Sequence, residues 1–247
     1  MILETPTISV IIPVYNAVDT VREAIDSVQR CINANGELIV IDGGSTDGTL
    51  AVLKQLKPAD NVRWISEPDK GIYDAMNKGI EWASGQWIYF LGADDQLAHT
   101  GLVDLIKQAS INCKLIFGNV QFDNGHIMRS YVGLRTYFQN TVHHQSALYH
   151  RSLFESFRYD TSLKLLADYE LNLRIYCQAE QTFYVDELIA FCHSGGASSN
   201  LSASLRETNI VRGRFIKSAW KQKALSSMLT LYYGQKKLRR MLYGHKV

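Results

Sequence analysis

Proline is scarce in this chain, four residues in 247, and 17 glycines carry no period, so collagen-like and low-complexity classes are excluded. The four cysteines, Cys31, Cys113, Cys177 and Cys192, lie far apart and form no CxxC pair. That spacing excludes a disulfide-stapled miniprotein, offers no Cys/His zinc pattern, and suits free thiols in a reducing compartment. No stretch reaches the ~18 uncharged apolar residues of a membrane-spanning helix, and the N-terminal Met-Ile-Leu-Glu-Thr-Pro has no basic region leading into an apolar run. A cytoplasmic protein is therefore expected. The GxGxxG dinucleotide fingerprint is missing, as is a phosphate loop ending in Gly-Lys-Ser/Thr. No aromatic stacking surface or recognition motif accompanies the basic residues, which argues against a nucleic-acid partner.

With 46% hydrophobic residues the chain has enough apolar surface for an ordinary core. Its formal charge of +2 conceals an asymmetry. Residues 212–247 hold ten of the 26 basic side chains and no acidic one, which leaves 16 basic against 24 acidic before them. The molecule reads as an acidic body with a basic tail.

Through residue 120, short β-branched runs alternate with helical patterns, the signature of a mostly parallel sheet flanked by helices. Ile8 to Tyr15 is a near-continuous apolar run suited to a strand covered on both faces. A helix over 20–32 follows, with Thr20 and Glu23 in capping-box spacing. Strands are predicted at Leu38–Ile41, Arg63–Ser66 and Trp87–Leu91, and helices at Thr49–Leu56, Tyr73–Ala83 and 100–109. Strands at Lys114–Phe117, Met128–Val132, Phe183–Val185 and Ile189–Cys192 and a helix over Leu165–Ala179 complete an α/β body. The body spans 1–205, divided into a nucleotide-binding half (1–110) and an acceptor half (111–205), and 206–247 form an amphipathic helical tail.

The ends of parallel strands gather ligands, and two acidic loops fall there. Asp94 and Asp95 end a buried apolar strand, where two adjacent carboxylates need a cation, naturally a divalent metal on a phosphate, or a helix to cap. Asp42-Gly-Gly-Ser-Thr-Asp-Gly48 ends another, with glycines that admit a ligand to the backbone; Asp47 in it is equally placed to cap the next helix. Glu67, Asp69, Lys70 and Asp74 cluster after the third strand, either at the crevice or as charges at a helix start. Asp168 opens a helix, as a cap or as a general base, and Arg174 stands four residues beyond Glu170, the spacing of a helical ion pair.

Four segments carry a resemblance. Ser9-Val-Ile-Ile-Pro-Val-Tyr-Asn16, Ile41-Asp-Gly-Gly-Ser-Thr-Asp-Gly-Thr49, Glu67-Pro-Asp-Lys-Gly-Ile-Tyr-Asp-Ala-Met-Asn-Lys-Gly79 and Gly85-Gln-Trp-Ile-Tyr-Phe-Leu-Gly-Ala-Asp-Asp95 resemble, in order, the inverting family 2 glycosyltransferases of the GT-A fold. The third is similar to the branch that builds bacterial exopolysaccharides such as colanic acid. The resemblance implies a metal-dependent transfer of sugar from a nucleotide diphosphate sugar, a UDP-sugar by preference, to a saccharide or polyprenyl-linked saccharide.

It further implies that Pro13, Tyr15 and Asn16 lie against the base and that Asp42 meets base or ribose. The family's second acid after strand two is here Gly43, which leaves the choice between uridine and guanosine open. Glu67, Asp69, Lys70, Asp74 and Asn77 fall in the family's donor-contacting region. Asp94 faces the ribose and Asp95 ligates Mn2+ or Mg2+, with His193 as a further candidate. Leu166-Ala-Asp-Tyr-Glu-Leu-Asn-Leu-Arg174 is similar to the segment that supplies the catalytic base, at Asp168. His144 and Gln145 match a His-Gln pair at the acceptor site. The loop Ser194–Asn200 is a candidate lid, an alternative to a plain connection.

The tail combines apolar faces with lysines and arginines, which suits an in-plane helix on an anionic inner leaflet or a helix pair resting on the body. A nucleotidyltransferase and a saccharide-binding scaffold without catalysis are the rival functions.

Overall fold

The computed structural model describes residues 7–32, 36–56, 62–98, 101–194 and 201–243, the side chains of the last helix as far as residue 235. Strand β1 (Ile8–Val14) lies between β2 (Gly36–Asp42) and β4 (Trp87–Phe90), and β3 (Val62–Ser66) flanks β2, all four parallel. Helices α1 (Val21–Cys31), α2 (Thr49–Leu53) and α3 (Ile72–Trp82) supply the crossovers. Ile8, Val10, Ile12 and Val14 enter the cluster shared with α1, while Ile11 enters the opposite one with Tyr73, Met76 and Ile80 of α3. Covering both faces is why β1 reads as an unbroken apolar run, and each fully buried isoleucine stabilises the fold by about 2 kcal/mol.

Beyond β4 the sheet changes direction. The two-residue β5 (Gln96–Leu97) is followed by α4 (Leu102–Gln108), then β6 (Cys113–Phe122), β7 (Ile127–Arg129) and β8 (Ala147–His150). β8 pairs antiparallel with both β4 and β6, whereas β9 (Gln181–Cys192) runs parallel to β6 and antiparallel to β5. The full order is β3-β2-β1-β4-β8-β6-β9-β5, with β7 on the side of β6. The sheet is thus mixed: its first four strands are all parallel, and beyond them only the β6–β9 pair is.

Two expected strands near the end are one. β9 passes from Val185 to Ile189 through Asp186 and Glu187, and the register slips opposite Phe117–Val120. A β-bulge interrupts the apolar pattern without ending the strand. The capping box at Thr20 does not form: Thr20 makes no side-chain cap, and Glu23 accepts from Gln96 Nε2 (3.1 Å).

The expected boundary at 205/206 falls inside a helix. α6 (Leu201–Phe215) begins before it and packs on α5 (Ala167–Cys177), with Val211 in the body's core. Arg212 is fully buried between Asn209 and Ser226, and Arg214 pairs with both Asp160 and Glu170. These two tail cations belong to the body. α7 (Ala219–Tyr243) exposes Lys221 and Lys223 together with Trp220, Met228 and Leu231. No helix among the described residues is long and apolar enough to cross a membrane, and all four cysteines are free thiols.

Candidate active site

The C-terminal ends of β1, β2 and β4 open onto one cleft of about 1130 Å3. Side-chain bonds tie the first two loops together: Ser45 Oγ accepts from Asn16 N (2.8 Å), Asn16 Oδ1 from Thr46 N (2.9 Å), and Asp47 Oδ2 from Val18 N (3.0 Å). Asn16 sits at φ 49°, a left-handed conformation that asparagine tolerates better than most residues. The result is a rigid wall in which Tyr15 stands 64% exposed, its ring free for a planar ligand.

Asp42 is fully buried, and both its oxygens are engaged within the loop. Oδ2 accepts from Ser45 N (3.1 Å), Gly44 N (3.3 Å) and Ser66 Oγ (2.6 Å), and Oδ1 from Ser45 Oγ. It does not line the cleft; Gly43 and Gly44 do. A Cβ on Gly43 would come within 2.8 Å of Asp69 Cγ, so the Asp69 carboxylate occupies the space that a side chain at position 43 would need and would have to turn away to admit one. An acid after β3 fills the place beside position 43. Asp69 Oδ1 accepts from Gly71 N (2.8 Å), which aims the group at the cleft.

Four residues expected along the donor do not line the cleft, and each has a local role. Glu67 pairs with Lys78 (2.8 Å); Asp74 accepts from Lys70 N (3.0 Å) and so caps the start of α3; Asn77 exchanges two hydrogen bonds with the Tyr159 backbone, both 2.9 Å. Lys70 is exposed, and its carbonyl accepts from Lys164 Nζ (2.8 Å).

At the end of β4 the two aspartates differ. Asp94 is exposed and lines the cleft, while Asp95 is 4% exposed. Asp95 Oδ1 accepts from His193 N (2.9 Å) and Oδ2 from Gln145 Nε2 (2.5 Å). It caps no helix, since α4 begins seven residues later with Gly101 as its cap. Burial, reinforced by the charge of Asp94, raises its pKa to about 6. His193 Nδ1 lies 2.5 Å from the Asp94 carbonyl, which can only accept; Nδ1 therefore carries the proton and Nε2 keeps its lone pair.

This environment fits a divalent cation. The Asp95 carboxylate is met only by neutral donors and stands next to Asp94, the buried Gln145 Oε1 has no partner, and the His193 imidazole is held in the tautomer that metal-ligating histidines adopt, although no three His, Cys, Asp or Glu side chains among the described residues are grouped as a metal centre. Lys164 is the single Lys or Arg among the described residues lining the cleft, against Asp69, Asp94, Asp95 and Asp168. The cleft is therefore net negative among its described lining residues.

Across the cleft, Asp168 occupies the second position of α5 and is 4% exposed. Oδ1 accepts from Tyr73 Oη (3.1 Å) and Oδ2 from Asn140 Nδ2 (2.6 Å). Behind Asn140, Asn172 Nδ2 donates to its Oδ1 (3.0 Å) and Tyr149 Oη donates to Asn172 Oδ1 (2.9 Å). The carboxylate is oriented by side chains and does not cap the helix. Burial raises its pKa, which suits a group that takes up a proton. Nor does Arg174 pair with Glu170: it donates to Gln178 and Ser156, and Glu170 takes Arg214.

His144 and Gln145 join the two acids. His144 Nδ1 is 3.9 Å from Asp168 Oδ2, and the next residue holds Asp95. Desolvation lowers the pKa of His144 to about 4 and that of His143 to about 3, so both rings are neutral at pH 7 and stack 5.4 Å apart. The proposed lid at Ser194–Asn200 lies outside the described residues from 195 onward.

Tyr73, Asn140 and Asn172 were not singled out by sequence. Tyr73 stands inside the Glu67–Gly79 motif and Asn172 inside the Leu166–Arg174 segment, but their partners are distant in sequence, 95 residues for Tyr73; Asn140 carries no local signal.

The profile described as Glycosyl transferase family 2 matches residues 9–169. A "PGL/p-HBAD biosynthesis glycosyltransferase" of Mycobacterium bovis is 33% identical over 214 residues, covering 80% of this chain and 81% of its own. Among solved structures, a TarS fragment of S. aureus in complex with UDP-GlcNAc superposes with a TM-score of 0.68 at 19% identity, over 83% of this chain and 64% of that one. A mannosyltransferase from Pyrobaculum calidifontis in complex with GDP-Man and Mn2+ gives 0.61 at 17% identity, over 84% and 61%. At those identities the structural likeness is one of fold.

Proposed function

Because this chain belongs to glycosyl transferase family 2 and folds as its GT-A members do, we propose that it transfers a sugar, with inversion, from a UDP-sugar to a saccharide or lipid-linked saccharide in the assembly of a bacterial surface polysaccharide. One observation carries the reading: two aspartates suited to a cation and an oriented, proton-accepting Asp168 face one cleft, joined through His144–Gln145.

Each residue then has a part. Tyr15 and Pro13 offer the base a face and a floor, Asn16 holds their loop, and Gly43 leaves room for Asp69 to accept from an N–H of the base. Asp94 is placed for the ribose. Asp95, with His193, would hold Mn2+ or Mg2+, which when bound neutralises the diphosphate and makes it a better leaving group. His144 and Gln145 stand where the acceptor enters. Asp168 takes the proton from the acceptor hydroxyl as its oxygen bonds to the anomeric carbon, and the bond from that carbon to the β-phosphate oxygen breaks. Tyr73 and Asn140 fix the carboxylate for that transfer. One displacement from the opposite side inverts the anomeric centre.

Both neighbours' nucleotides are tested by the same experiment, release of UDP or GDP from a panel of nucleotide sugars with Mn2+. Asp168→Asn is expected to bind donor as wild type does and lose at least ~10^3-fold in transfer, while Asp95→Ala loses the Mn2+ dependence. Wild-type turnover in either variant would remove the corresponding role.

We further propose that the enzyme works at the inner face of the cell membrane, with α7 toward an anionic leaflet. Its exposed lysines beside exposed apolar side chains support this.

A further inference from the structure

The cleft does not end at the base. Past Asn140 its wall continues through Gln139 to Leu229 and Tyr233 of α7. Gln139 and Leu229 also wall a second hollow, of about 230 Å3, completed by Phe138, Met228, Tyr232 and Arg135. Tyr233 Oη donates to Gln139 Oε1 (2.8 Å), so α7 is fastened to the segment that carries the base's partner. The hollow is lined by methionine, leucine and ring surfaces, with Arg135 as its one charged wall among the described residues. Met228 is 55% and Tyr232 47% exposed. Single exposed apolar side chains are ordinary, but here they border a concave site that shares Gln139 and Leu229 with the catalytic cleft.

We infer that this hollow is an acceptor subsite for an apolar chain: the acceptor is a glycolipid whose sugar hydroxyl lies at Asp168 and whose aglycone runs between the 138–139 segment and α7. The inference rests on the glycosyltransferase reading. A bare saccharide would find few hydrogen-bonding partners there, whereas an alkyl, aryl or prenyl chain exchanges water for apolar contact. The hollow adjoins the cleft at Gln139 and Leu229, one residue from the Asn140 that holds Asp168, which puts its occupant beside the acceptor sugar and argues for the acceptor's own aglycone. The hollow is also too small to receive an element of another protein.

The test uses the full chain and two probes, n-octyl β-glucoside below its micelle concentration and methyl β-glucoside, followed by titration calorimetry. The octyl compound is expected to bind at least ten-fold more tightly than the methyl one. Met228→Asp should remove most of that difference, whereas Ile111→Asp, at a 97% exposed residue outside both cavities, should not. Melting temperatures report that each variant is folded. Equal binding of the two glucosides, or an equal loss in both variants, overturns the subsite. Binding to anionic vesicles without binding to monomeric octyl glucoside also overturns it, because the face would then be a bilayer contact. The donor reading is tested apart, by Mn2+-dependent binding of UDP-sugars to the wild-type protein; its failure would leave an octyl result standing.

Discussion

At the residue scale, the chemistry turns on how the protein treats its carboxylates. Asp42 is spent on its own loop, Asp69 is turned over Gly43, Asp95 is buried, and Asp168 is clasped by two neutral donors. The positions of Asp94, Asp95 and Asp168 were legible in sequence because each stands in a local motif. The place of Asp69 was not, since nothing in Gly43 announces which distant side chain needs its space. The same holds for Tyr73 and Asn140, whose contacts with Asp168 cross long stretches of chain. The raised pKa of Asp95 sets a direction for pH. Protons compete with a cation for that carboxylate, so Mn2+ affinity should be full above about pH 7 and fall as the pH is lowered through about 6, by up to ten-fold per unit below it. Titration calorimetry with Mn2+ between pH 5 and 8 checks this; a flat profile would place the cation elsewhere.

At the scale of elements, the parallel half was readable because apolar runs and helical periods alternate cleanly there. The antiparallel half was less so. β8 is four residues long, β5 is two, and the bulge in β9 mimics a break. The attachment of α6 to α5 was also hidden. Glu207 of α6 accepts three backbone N–H groups ahead of the base helix, from Lys164 (2.8 Å), Leu165 (2.9 Å) and Leu166 (2.9 Å). These donors lie in the segment that leads up to and includes the N-cap Leu166, and a carboxylate beside a helix N-terminus is favoured by the helix dipole. Glu207→Gln keeps the shape but weakens three charge-assisted bonds. It should lower stability by about 1–2 kcal/mol and slow transfer more than it weakens donor binding, because Asp168 follows directly after this clamp. Denaturant unfolding together with a kcat and donor Kd comparison reads both, and an unchanged kcat would confine Glu207 to stability.

For the whole molecule, the split between acidic body and basic tail needed revision. Arg212 and Arg214 serve the body, so within the described side chains the free positive surface of α7 rests on Lys221 and Lys223. The sequence could count these charges but could not say which had partners, because Asp160 and Glu170 are more than forty residues away. Reversing both lysines to glutamate should weaken co-sedimentation with phosphatidylserine vesicles at least ten-fold, at roughly 1 kcal/mol per surface charge, and neutral vesicles should bind neither protein. Undiminished binding by the double variant would take the membrane away from α7.

The short run from His143 to Gln145 has a consequence for how such an enzyme changes over generations. Gln145 binds Asp95 and the residue before it, His144, approaches Asp168. The two carboxylates are therefore linked through two adjacent residues of backbone. Under the proposed roles, substitutions that retune the donor end and those that retune the acceptor end share this backbone, and their effects are expected to be non-additive in a double-mutant cycle.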